Sequence, residues 1–91
     1  MEDVIIVTGA SSGIGAATAR MLGASGASVV VNYKSSKDLA ETVVADVFAA
    51  GGRAIAVCAD MGVEADIVRM FEQTDAIFGP VTGLVNYAGI N

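Results

Sequence analysis

Four short apolar runs, Val4–Thr8, Ala27–Asn32, Ala54–Ala59 and Thr82–Asn86, alternate along the chain with three stretches of helical periodicity. Runs this short, rich in Val and Ile and with little polar alternation, suit strands buried on both faces. From Ile14, the residues Ala17, Thr18, Met21 and Leu22 form one helical stripe, and Gly26 closes the turn after it. Ser35 or Ser36 is placed to cap a second helix, whose expected inner face is Leu39, Val43, Val47 and Ala50 before Gly51-Gly52 stops it. In the third stretch Ile67, Met70, Phe71, Thr74, Ile77 and Phe78 recur at intervals of three and four, and Gly79-Pro80 ends the helix. The order is β-α-β-α-β-α-β with short connections. Strands joined in this way lie parallel with right-handed helical crossovers, so the expected class is α/β with an open parallel sheet. Residues 1–91 read as a single domain, with no repeat and no linker.

Apolar residues make up 54% of these 91 residues and charged residues only 16%. A small domain has a large surface for its volume and is expected to be more polar than that. No apolar span of about 20 residues accounts for the excess. One cause would be a very Ala-rich sequence; the sharper expectation is a partial domain, the apolar surplus belonging to a larger one. The acidic start Met1-Glu2-Asp3 runs straight into Val4-Ile5-Ile6-Val7, which argues against a secretory signal and for a cytoplasmic protein. The net charge of −5 comes without a basic cluster, which disfavours nucleic acid and anionic membranes as partners. An anionic ligand would have to be held mainly by backbone groups. Cys58 is the one cysteine and there is no histidine, so an internal disulfide is excluded and no metal site is expected. Cys58 itself is expected to be buried and inert.

The first strand runs into Thr8-Gly9-Ala10-Ser11-Ser12-Gly13-Ile14-Gly15, and the first helix begins inside that segment. Gly9 permits a tight turn, Gly13 lets backbone approach a phosphate, and Gly15 lets helix and strand pack closely. The unpaired N–H groups and positive dipole end of the helix then face the ligand, with Ser11 and Ser12 as hydroxyl donors. Such glycines also serve ordinary turns, but between a first strand and a first helix they favour a phosphate site. No Gly-Lys-Ser/Thr follows, which excludes a P-loop. A methyltransferase-like domain uses a similar turn but usually has an acid at the end of the second strand, where Asn32-Tyr33 stands.

The segment Thr8–Gly15 resembles the T-G-x-x-x-G-x-G motif of the short-chain dehydrogenase/reductase family. Asp60 after the third strand and Asn86-Tyr87-Ala88-Gly89 after the fourth resemble two further family motifs in the same order. The stretch Val31–Ser36 is most similar to the 3-oxoacyl-(acyl-carrier-protein) reductase and glucose dehydrogenase branch. The resemblance covers the N-terminal part of a family member. It implies a Rossmann-type sheet of strand order 3-2-1-4, with the first two helices on one face and the third on the other. It also implies that Gly9, Ser11, Ser12, Gly13, Ile14 and Gly15 line the pyrophosphate and adjoining ribose of a dinucleotide. Asp60 would accept from the adenine amino group, with the backbone of Met61 beside it; the alternative for Asp60 is a helix-entry carboxylate. Asn86, Ala88 and Gly89 would lie along the cofactor. The end of the second strand, Asn32 and Tyr33, carries no acid to hold a ribose 2′-hydroxyl, while Lys34, Ser35 and Ser36 can donate to a 2′-phosphate. NADP is therefore favoured over NAD, the alternative being that Lys34 is a solvated turn lysine.

Three departures from the family pattern matter. Gly62 and Ala65 remove the expected cap of the third helix. Tyr87 replaces the second Asn of N-N-A-G, which would tie neighbouring backbone groups. The catalytic Tyr-x-x-x-Lys pair and Ser of the family are missing: Tyr33 and Lys37 have the spacing, but they sit at the adenosine end of the sheet. No catalytic residue is assigned, and the chain alone is expected to be inactive. The strand Thr82–Asn86 is expected to present an unpaired apolar edge. A homodimer joined through antiparallel fourth strands is the alternative reading of the chain.

Overall fold

A computed structural model describes residues 3–88. The elements are β1 (Val4–Thr8), α1 (Gly13–Ala24), β2 (Ser28–Tyr33), α2 (Lys37–Ala49), β3 (Arg53–Cys58), α3 (Glu64–Phe78) and β4 (Gly83–Asn86). They form one four-stranded parallel sheet in the order β3-β2-β1-β4. This is the Rossmann-type α/β order expected from the sequence. Strand ends move by a residue at β2, β3 and β4. β4 begins at Gly83, and before it the Thr82 N–H donates to the Val4 carbonyl at 2.8 Å while the Thr82 hydroxyl accepts the Val4 N–H at 3.0 Å.

Successive side chains of a strand point to opposite faces, and the two faces bury different helices. Val7, Val29, Val31 and Ala54 pack against Ala16 and Ala19 of α1 and Ala40, Val43 and Val47 of α2. Ile6, Val30 and Val57 pack against Met70 of α3, with Phe71 and Phe78 partly buried around them. Thus α1 and α2 cover one face and α3 the other. Among the strands β1 and β2 are almost wholly buried, which explains their unbroken Val/Ile character.

The inner faces of two helices differ from those expected. On α1 the buried residues are Gly15, Ala16, Ala19 and Gly23, whereas Ile14 and Met21 are about two-thirds exposed. On α2, Ala40 replaces Leu39 inside, and Ala50 lies at the exposed C-cap. The cause is the short distance between the layers. A Cβ on Gly23 would stand 2.5 Å from Val47 Cγ1, so α1 meets Val47 of α2 through a residue with no side chain. The third helix follows expectation at Met70 and Thr74, while Ile77 turns to solvent. Cys58 is also corrected: it is exposed at the end of edge strand β3, where its thiol donates to the Lys34 carbonyl at 3.4 Å. No helix is long and apolar enough to cross a membrane among the described residues.

The contact between α1 and α2 can be tested directly. Gly23→Ala should lose about 1–2 kcal/mol in urea unfolding, because overpacking against Val47 outweighs the helix propensity gained. Adding Val47→Ala should recover part of that loss by removing the Cγ atoms that clash. A simple gain in stability from Gly23→Ala would contradict this packing.

Candidate functional site

The C-terminal ends of β1, β2 and β4 open into one cleft of about 860 Å³. Here the strand order reverses between β1 and β4, the position where open α/β sheets take ligands. The β1–α1 turn forms one wall. Gly9 and Gly13 have φ of +61° and +60°, values that side-chain-bearing residues rarely adopt. Gly15 is pressed against the turn so closely that a Cβ there would run into the Gly9 carbonyl oxygen. The first helical bond of α1 is Ala16 N–H to Ser12 O at 3.3 Å, so the N–H groups before it have no intrahelical acceptor. The N-cap Ser12 makes no side-chain cap bond, and both Ser12 and Ile14 are exposed. The helix therefore begins with donors directed out of the fold.

A polar seam holds the strand ends beneath the cleft. The Thr8 hydroxyl donates to Asn86 Oδ1 at 2.6 Å and accepts the N–H groups of Tyr87 at 3.0 Å and Ala88 at 3.2 Å. This hydroxyl ties the backbone that the missing second Asn was expected to tie. Tyr87 instead packs against the α1–α2 core and its hydroxyl lies 3.3 Å from that of Thr18 on α1. Asn32 is buried. Its Oδ1 accepts the Gly9 N–H at 3.3 Å, and its Nδ2 donates to the carbonyls of Val57 at 3.3 Å and Ala59 at 3.1 Å. One side chain thus fastens the ends of β1, β2 and β3 and forms the cleft floor.

The far rim carries Tyr33, Lys34, Ser35 and Asp60. Lys34 Nζ lies 3.5 Å from Asp60 Oδ2, with both groups open to solvent. Asp60 Oδ1 accepts the Gly62 N–H at 2.8 Å, so its carboxylate also supports the turn before α3. α3 has its N-cap at Val63, not Gly62, and Asp66, three residues on, is a further helix-entry carboxylate, which accepts the Asp60 N–H at 2.9 Å. That bond, with help from Arg69 and against partial desolvation, holds the Asp66 carboxyl below its ordinary value of 3.8.

Gly9, Ser11, Ser12, Gly13, Ile14, Gly15, Asn32, Tyr33, Lys34, Ser35, Asp60, Met61, Asn86 and Ala88 all border this cleft. Gly89 lies outside the described residues. Reading the sequence missed Thr8 as a site residue, although a hydroxyl ending a wholly apolar buried strand was a signal for it. It also missed Tyr87, which lines the cleft, and Asp66, whose signal was an acid at the third helical position.

A family model described as short chain dehydrogenase matches residues 3–91. An uncharacterized oxidoreductase of Methylorubrum extorquens is 49% identical over 87 residues, covering 96% of this chain and 35% of that protein. The 3-oxoacyl-(acyl-carrier-protein) reductase of Synechocystis sp. is 47% identical, with the same 96% and 35% coverage. The crystal structure of a dehydrogenase/reductase from Sinorhizobium meliloti superposes with a TM-score of 0.93 at 40% identity, covering 97% of this chain and 35% of that one. The chain spans about a third of the length of the curated relatives it matches.

Two measurements check the seam. Thr8→Val should cost about 1–3 kcal/mol in urea unfolding, because it strands the partners of one hydroxyl, while Thr8→Ser should cost less. Asp66 is a carboxylate with a depressed folded-state value, so its stabilisation is present above the unfolded value and fades as pH falls through the folded one. Asp66→Asn should therefore be less stable than the parent at neutral pH, and the gap should close below about pH 4.

Proposed function

The chain belongs to the short-chain dehydrogenase/reductase family, and we propose that it is the dinucleotide-binding segment of an NADP-preferring ketone/alcohol oxidoreductase. The observation that carries this reading is convergence. Residues assigned to the cofactor from three separate motifs border a single cleft at the strand ends. The cleft also suits the group: glycine backbone that leaves room for a pyrophosphate, uncapped helix N–H groups facing outward, and a lysine rather than an acid after β2.

In this reading Gly13, Ile14 and Gly15 present backbone donors to the pyrophosphate, and Ser11 and Ser12 add hydroxyls. Asp60 and Met61 receive the adenine, and Lys34 with Ser35 receives a 2′-phosphate. Asn86, Ala88 and Gly89 follow the cofactor toward its nicotinamide, whose chemistry when bound is hydride transfer. Asn32 serves chiefly by fixing the floor. The 91 residues hold two tyrosines. Tyr33 and Lys37 have catalytic spacing, but Tyr33 ends β2 on the adenosine rim and Lys37 opens α2. Tyr87 has no lysine four residues on. These residues supply no general acid for a carbonyl, and the segment alone is inactive in this proposal. The similarity to a 3-oxoacyl-(acyl-carrier-protein) reductase favours a β-ketoacyl thioester as substrate of the whole enzyme. A cytoplasmic location accords with this reading.

The sheet edge favours a second reading. β4 pairs only with β1 among the described residues, alternates between exposed and half-buried positions, and leaves Leu84 half exposed. Two copies joined through antiparallel β4 strands would cover that edge in a continuous eight-stranded sheet.

Fluorescence titration with NADPH should saturate, and NADH should bind more weakly. No saturable signal at millimolar NADPH would sink the first reading. The chain alone should not consume NADPH with a β-ketoacyl thioester. Sedimentation at micromolar protein should show a dimer if β4 strands pair, and a clean monomer refutes that arrangement.

A further inference from the structure

The cleft is lined by two charged side chains among the described residues, Lys34 and Asp60, and they face each other with Nζ 3.5 Å from Oδ2. The two are mounted differently. Asp60 is anchored: its Oδ1 accepts the Gly62 N–H at 2.8 Å and its own N–H donates to Asp66 at 2.9 Å. Lys34 is the movable partner, because its side chain is 75% exposed and its stem is long and flexible. Its backbone is nevertheless fixed beside Asp60, since the Lys34 carbonyl accepts the Cys58 thiol and the Tyr33 carbonyl accepts the Ala59 N–H at 3.0 Å.

We propose that Asp60 determines how strongly this cleft distinguishes a 2′-phosphorylated adenosine from one with a free 2′-hydroxyl, by holding the Lys34 ammonium in an ion pair. The proposal rests on the reading of the cleft as a dinucleotide site. A phosphate monoester carries a charge of about −1.5 to −2 near neutral pH. To meet it, Lys34 must leave Asp60. The anchored carboxylate then loses its cation while a second anion arrives nearby, and both effects oppose the phosphate. A free 2′-hydroxyl makes neither demand and leaves the pair intact. Asp60 thus lowers the preference for 2′-phosphate that Lys34 provides. Both groups are solvated and screened, so the effect is several-fold, not orders of magnitude.

The test is isothermal titration of the protein with adenosine 2′,5′-bisphosphate and with AMP, read as the ratio of the two affinities. Asp60→Asn keeps an Oδ1 acceptor for Gly62 and should raise the ratio in favour of the bisphosphate by about 3- to 10-fold. Asp60→Ser, which keeps a smaller acceptor, should shift it in the same direction and serves if the Asn variant does not fold. In a Lys34→Ala background the gain from Asp60→Asn should be clearly smaller, because the competing cation is gone. An unchanged ratio in the Asp60 variants, while both nucleotides bind, overturns the proposal. An equal gain with and without Lys34 also overturns it, since Asp60 would then act without the pair. Failure of the parent protein to bind either nucleotide defeats the nucleotide-site reading itself, and this inference with it.

Discussion

The contact on which the rest of the architecture depends is one of backbone against backbone, where Gly15 at the start of α1 meets the Gly9 carbonyl at the end of β1. No side chain intervenes, so the helix lies as near the sheet as covalent structure allows. That spacing decides what else fits. It selects Ala16, Ala19 and Gly23 for the inner face of α1, and Gly23 in turn brings Val47 of α2 against the first helix. It also sets the helix N-terminus at the mouth of the sheet, where its first N–H groups border the cleft. Packing and cleft geometry are here consequences of the same missing Cβ atoms.

The strands were legible in the sequence for a simple reason. A strand covered on both faces needs an unbroken apolar run, as β1 and β2 have. By contrast, β3 and β4 are only partly buried and were legible as short apolar runs between turn residues. The sheet order followed from short crossovers together with the family resemblance. The helix faces were less legible. Periodicity places large apolar residues inward, but Ile14, Met21 and Leu39 are exposed, and the small residues Gly15, Ala16, Ala19, Gly23 and Ala40 lie inside instead. Cys58 was misread for a related reason: apolar character suggested burial, whereas its place at the end of an edge strand exposes it.

Most of the candidate site was legible as glycine spacing and motif order. The polar seam below it was not. Thr8, Tyr87 and Asp66 act through partners 78, 69 and 6 residues away, respectively, and spacing along a chain says nothing about such pairings until the topology exists. Nor does a sequence reveal that Lys34 and Asp60, from different connections, share an ion pair. The seam also shows how an apolar sheet tolerates buried polar groups: no buried side-chain nitrogen or oxygen among the described residues lacks a hydrogen-bond partner.

Asn32 has a mechanical consequence. Its amide joins the turn after β1 to the end of β3, while its own backbone carbonyl accepts the Ala10 N–H at 2.9 Å. Three neighbouring strand ends are thereby braced by a single buried residue, as a gusset stiffens a joint. The cleft floor cannot yield at one strand without straining the others. Adaptation to ligands of different shape is left to the segments above that brace, residues 11–14, 34–36 and 60–62, where the hydroxyls and charges stand. A stiff floor beneath an adjustable rim lets one scaffold keep its backbone geometry while its rim chemistry changes.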